Sequence, residues 1–98
     1  MRYEIGLAPE AAASFRALPA YDRAAARAAL ETHLRFEPAK VSKSRIKRLR
    51  GLARPQLRLR VNDIRMFYDI AEEEIQVLAI VTNAEAETWL DSFGEATP

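Results

Sequence analysis

Four residues in one short stretch have side chains suited to holding a phosphodiester: Arg58, Arg60, Arg65 and Phe67. Leu57, Leu59 and Val61 alternate with Arg58 and Arg60, a period of two that reads as a half-buried strand. Asn62-Asp63 follows, and both residues tolerate positive φ, so the pair reads as a two-residue hairpin loop. A hairpin closed there sets Val61 opposite Ile64, Arg60 opposite Arg65, Leu59 opposite Met66, Arg58 opposite Phe67 and Leu57 opposite Tyr68. One face is then Leu57, Leu59, Val61, Ile64, Met66 and Tyr68, a core face; the other is Arg58, Arg60, Arg65 and Phe67. Two arginines facing each other across a ladder repel, at a cost on the order of a few tenths of a kcal/mol. An anion between them turns that cost into binding. Guanidinium forks grip phosphate bidentately, and an aromatic ring beside them offers a base a stacking surface worth ~1–3 kcal/mol. The plainer arrangement has the arginine stems covering Phe67 with their heads in water.

The surrounding sequence points the same way. Lys40 to Tyr68 holds ten of the fifteen basic residues and a single acid, Asp63, so a net charge of +1 conceals a polarised molecule. Such segregation makes a local field that attracts phosphates or an acidic partner. Within it, Lys47, Arg48 and Arg50 form an electrostatic rim to the hairpin face. The chain has no cysteine and one histidine, which excludes a disulfide framework, a thiol nucleophile and a classical zinc site. No metal, cofactor or small-molecule substrate is expected. His33 reads as a helix-surface residue and stays outside the site. MRYEIGLAPE lacks an apolar signal-peptide core, and no run reaches membrane-spanning length, so a cytoplasmic protein without a membrane partner is expected.

The elements that must position the hairpin follow from pattern and punctuation. Tyr3 to Leu7 reads as a short strand, Pro9 to Leu18 as a first helix, and Tyr21 to Phe36 as a second, alanine-rich one, joined as an antiparallel helical hairpin. Arg45 to Arg50 reads as a short edge strand, with Gly51 turning and Pro55 keeping the next loop out of any ladder. Ile75 to Thr82 is almost continuously apolar, the mark of a strand buried on both faces in mid-sheet. Thr82-Asn83-Ala84-Glu85 has capping-box spacing and opens a last helix with Ala86, Trp89, Leu90 and Phe93 on one face; Gly94 to Pro98 is expected to fray. With 98 residues this is one domain of α+β class: an antiparallel twisted sheet of about four strands, a helical hairpin on one face, and a short C-terminal helix.

The order strand–helix–helix–strand–strand–strand–helix resembles the RelE/ParE superfamily of toxins from toxin–antitoxin pairs. The resemblance rests on Tyr3-Glu4-Ile5, Phe15 to Pro19, Leu34 to Pro38, Ile46 to Gly51 and, above all, Leu57 to Tyr68, which looks like the family's yRlRvgdyRvlY signature. It implies a toxin neutralised by a cognate antitoxin, with a basic site on the sheet face away from the helices. For RelE-like members it implies cleavage of mRNA on the ribosome, by metal-independent attack of a ribose 2′-hydroxyl on the adjacent phosphate. Aligned on the family pattern, Arg65 takes a catalytic arginine position and Arg58 a catalytic lysine position; Gln56 stands at the other lysine, Asn83 at a late arginine, and Trp89 at a late tyrosine. The implied site is therefore Arg65 and Arg58 on the scissile phosphate, with Arg60, Phe67, Lys47, Arg48, Arg50 and Asn83 holding RNA. Arginine is a poor proton carrier, which leaves Lys47 or Glu85 to move protons, or catalysis by electrostatics alone. Two other outcomes stay open: a ParE-like inhibitor of DNA gyrase, and a catalytically impaired homologue that only binds antitoxin.

Overall fold

The computed structural model describes all 98 residues. In chain order the elements are β1 (Glu4–Leu7), α1 (Pro9–Ala17), α2 (Ala20–Ala29) running into one π-helical turn (Leu30–Leu34), β2 (Ile46–Arg48), β3 (Leu52–Arg54), β4 (Leu57–Val61), β5 (Ile64–Ala71), β6 (Glu74–Thr82), α3 (Asn83–Phe93) and β7 (Glu95–Ala96). Five strands form one sheet in the order β1-β6-β5-β4-β2, and β3 pairs with β7 in a separate two-stranded ladder.

The hairpin has the expected register at all five pairs, from Val61↔Ile64 to Leu57↔Tyr68. Asn62 supplies the positive φ (54°) that its loop requires. Leu57, Leu59, Met66 and Tyr68 are fully buried, and Ala11, Ala26, Leu30 and Leu34 of the helical layer complete the same core. Ala26 is small enough for α2 to approach the sheet closely. The π turn brings both Leu30 and Leu34 to the core, closed by Arg35 N–H donating to the Leu30 carbonyl at 3.1 Å. Tyr3 and Arg35 then lock β1 to this turn: Tyr3 N–H donates to the Arg35 carbonyl (2.7 Å), and the Arg35 guanidinium donates to the Tyr3 carbonyl (2.9 Å).

The α+β class holds, and five details differ from expectation. The expected first strand, β1, brings the main sheet to five strands rather than about four and runs parallel to β6, Glu4↔Glu74 to Leu7↔Val77, so the sheet is mixed rather than antiparallel. β6 is an interior strand but is not buried throughout, since Gln76 is exposed. It also carries a bulge: Tyr68 pairs with Val77 and Phe67 with Ala79, leaving Leu78 without a partner. The extra residue shifts the alternation, so Ile75 and Val77 before it and Ile80 after it all reach the same core. Finally, the tail does not fray. Glu95 and Ala96 pair with Arg54 and Leu52, and Thr97 N–H donates to the Gly51 carbonyl at 3.0 Å, so the stretch between Gly51 and Pro55, expected as a loop outside any ladder, is a short strand as well. Gly94 makes that return possible, because a β-carbon there would lie 2.6 Å from the Leu90 carbonyl oxygen.

Candidate nucleic-acid interface

The face of the sheet opposite the α1–α2 layer carries a row Lys47–Arg58–Phe67–Ala79 across β2, β4, β5 and β6, and beside it a row Arg60–Arg65–Val81. α3 crosses this face. Its start is fixed by a full capping box, in which Thr82 Oγ1 accepts from Glu85 N–H (3.3 Å) while Glu85 Oε1 accepts from Thr82 N–H (3.0 Å). Asn83 N–H also donates to the Asp63 carbonyl at 2.7 Å, which ties the helix start to the hairpin loop.

These anchors make a cleft between the sheet and α3, lined by Arg58, Arg65, Phe67 and Asn83 together with Leu49, Ala86, Glu87 and Leu90. Arg65 is almost wholly buried. It turns toward the loop, where Nη1 donates to the carbonyls of Asn62 (2.8 Å) and Ile64 (3.1 Å), and so avoids a head-on meeting with exposed Arg60. Arg58 is less well served. Its Nε–H is shut off from water without a hydrogen-bond partner, and Nη2 makes only a long contact (3.5 Å) with the Ser44 carbonyl. Burial, then Arg65, then Arg60, pull its pKa downward. A half-buried guanidinium with an unmet donor and two cations beside it is stabilised by any anion that enters.

Other expected site residues divide. Lys47 is exposed and directly opposite Arg58, so it belongs to the cleft's rim. Asn83 lines the cleft. Arg50 sits exposed in the turn before β3. Arg48 is on the wrong side: paired with Leu57, it projects toward the core face, close enough to Tyr68 to act on its phenol. Phe67 has the expected face but not the expected role. It is fully buried, stacked under Trp89 with ring centroids 5.2 Å apart and planes 12° from parallel. No base can lie on it while α3 is in place. Trp89 is held in turn by its indole N–H donating to Glu10 Oε2 on α1 (3.0 Å). Gln56 spends its side chain on structure, Oε1 accepting from Ile70 N–H at 3.0 Å. Glu85 is occupied by the capping box and does not line the cleft, whereas Glu87, which no motif in the sequence marks, does.

No protein-family model and no curated protein matches the sequence. Solved structures do. A chain of the RelBE2 toxin–antitoxin complex from Mycobacterium tuberculosis superposes with a TM-score of 0.68 at 22% identity, over 84% of this chain and 99% of that one. A chain of the archaeal RelE–RelB complex from Pyrococcus horikoshii gives 0.63 at 22% identity, over 84% and 96%. The chain has a RelE-like fold.

In this RelE-like frame the charged hairpin and the start of α3 meet in one place, which is why residues distant in sequence, Arg58, Arg65 and Asn83, share a cleft. No helix of the structure is long and apolar enough to cross a membrane.

Proposed function

We propose that residues 1–98 form the toxin of a toxin–antitoxin pair, and that it cleaves mRNA on the ribosome, in the cytoplasm, through 2′-hydroxyl attack on a phosphate held by Arg58 and Arg65. The observation that carries this reading is Arg58: a half-buried cation whose Nε–H is shut off from water and unpaired, lining a cleft that also holds Arg65 and Asn83. Fixed donors of this kind, aimed where phosphorane charge develops, lower the barrier without reorganising, and losing one typically costs ~10²–10³ in rate. The reaction needs no metal and no cofactor. Similarity to chains crystallised as toxin–antitoxin complexes supports a cognate antitoxin as partner.

Expression of the chain should arrest growth and produce message cut within ribosomal A sites. Arg58→Met keeps the packing stem and removes the charge, so it should relieve the arrest while the protein stays folded. Arrest that persists undiminished in Arg58→Met would overturn the assignment.

Two observations favour a second reading. Phe67 is sealed beneath Trp89, and Asn83 and Trp89 stand where the nuclease pattern has an arginine and a tyrosine. That suits a ParE-like toxin acting on DNA gyrase, or a homologue that only binds its antitoxin. Growth arrest with intact message and inhibited supercoiling would select the gyrase reading.

A further inference from the structure

The cleft contains a single acid. Glu87 lies one helical turn after Asn83 and one before Leu90, on the stripe of α3 that faces Arg58 and Arg65. It is exposed and forms no ion pair with either arginine. A carboxylate in a cleft built for an anion weakens binding, so affinity does not account for its position. As an acceptor-only group when ionised, it can take a proton that neither arginine can. Glu85, the other acid near the start of α3, has its Oε1 committed to Thr82 and lies off the cleft.

Resting on the nuclease reading above, we propose that Glu87 is the general base of this site and that Lys47 is its acid. The Glu87 carboxylate takes the 2′-hydroxyl proton as the 2′-oxygen forms its bond to phosphorus. The bond from phosphorus to the 5′-oxygen breaks, and the Lys47 ammonium, opposite Arg58 on the neighbouring strand, gives that oxygen a proton. The products are a 2′,3′-cyclic phosphate and a 5′-hydroxyl. A water carries the proton from Glu87 back to Lys47, so nothing is consumed. Arg58 and Arg65 hold the equatorial oxygens throughout.

The test uses ribosomes programmed with a defined message, scored separately for toxin binding and for single-turnover cleavage. Glu87→Gln should bind as tightly as the wild type, or more tightly because a like charge has gone, yet cleave ~10²–10⁴-fold more slowly, the usual share of a general base. Asp91→Asn, on the same helix but outside the cleft, should leave both unchanged. If Glu87→Gln cleaves at the wild-type rate, or loses binding and cleavage in parallel, the proposal is overturned while the nuclease reading stands. A wild-type protein that binds programmed ribosomes and never cuts overturns that reading itself, and this role for Glu87 with it.

Discussion

Trp89 lies nearly parallel over Phe67, 5.2 Å between ring centroids, and so closes over the one aromatic ring on the cationic sheet face. The stack joins α3 to β5, and since no residue of α3 is fully buried, it accounts for much of that helix's hold. Trp89→Ala loses the aromatic pairing, ~0.5–1.5 kcal/mol, and uncovers Phe67, ~1.5–3 kcal/mol. Urea unfolding followed by circular dichroism should therefore show a loss of about 2–4 kcal/mol. The same variant should bind single-stranded RNA more tightly, because the uncovered ring can stack on a base. Unchanged stability would show that α3 is held by something else.

Arg58 combines its proposed role on phosphate with a structural cost. Arg58→Met should lower RNA affinity and reduce the slope of log affinity against log salt by about 0.7, the contribution of one phosphate contact on a single strand. Relief from like charge should also hold the protein's stability steady or raise it by about 0.2–1 kcal/mol. A salt slope equal to that of the wild type would mean that Arg58 touches no phosphate.

Tyr68 fastens the loop after the helical layer to the sheet. Its fully buried hydroxyl donates to the Pro38 carbonyl at 2.6 Å. Tyr68→Phe leaves that carbonyl without its partner and should cost about 1–3 kcal/mol in urea unfolding. Burial also raises the phenol's pKa well above its ordinary 10.0, and outweighs the opposing charge of Arg48. The folded state thus favours the neutral phenol. The associated stability is complete below pH 10.0 and declines as pH rises from there toward the folded value. The alkaline decline in unfolding free energy should be smaller in Tyr68→Phe than in the wild type.

His33 gives a clean probe, since the chain has no other histidine. Burial, and then the charge of Arg45, lower its pKa below the ordinary 6.5. The fold prefers neutral imidazole, so its contribution to stability is complete above pH 6.5 and is lost as pH falls through the lower folded value. A ring-proton NMR titration should give a midpoint below 6.5, and His33→Gln should soften the acid-side loss of stability.

What the sequence made legible was local. Alternation and a turn pair specified the register from Leu57 to Tyr68, because a slip of one residue would have put every arginine into the core. The hydroxyl and glutamate three residues apart at Thr82 and Glu85 announced the start of α3 in the same way. Long-range facts were hidden. The run IQVLAIVT is apolar on both sides of Leu78, so a change of parity leaves no mark in it. An amphipathic α3 shows which of its faces is apolar but not which side of the sheet receives it, and the burial of Phe67 depends on that. Arg48 joined the rim by charge alone, and only the pairing with Leu57 shows that it points the other way. Two residues, Glu95 and Ala96, are too few to signal a strand.

The parallel pairing of β1 with β6 gives the order of synthesis a physical consequence. Glu4 has no strand to pair with until Glu74 has been made, and Leu7 waits for Val77. At roughly 5–20 residues per second, the first strand spends about 4–14 s after its own synthesis without its place in the sheet. A chain interrupted anywhere before β6 therefore leaves β1 without its partner strand, and the cationic face, which needs β5, β6 and α3 together, is complete only once Phe93 has been made.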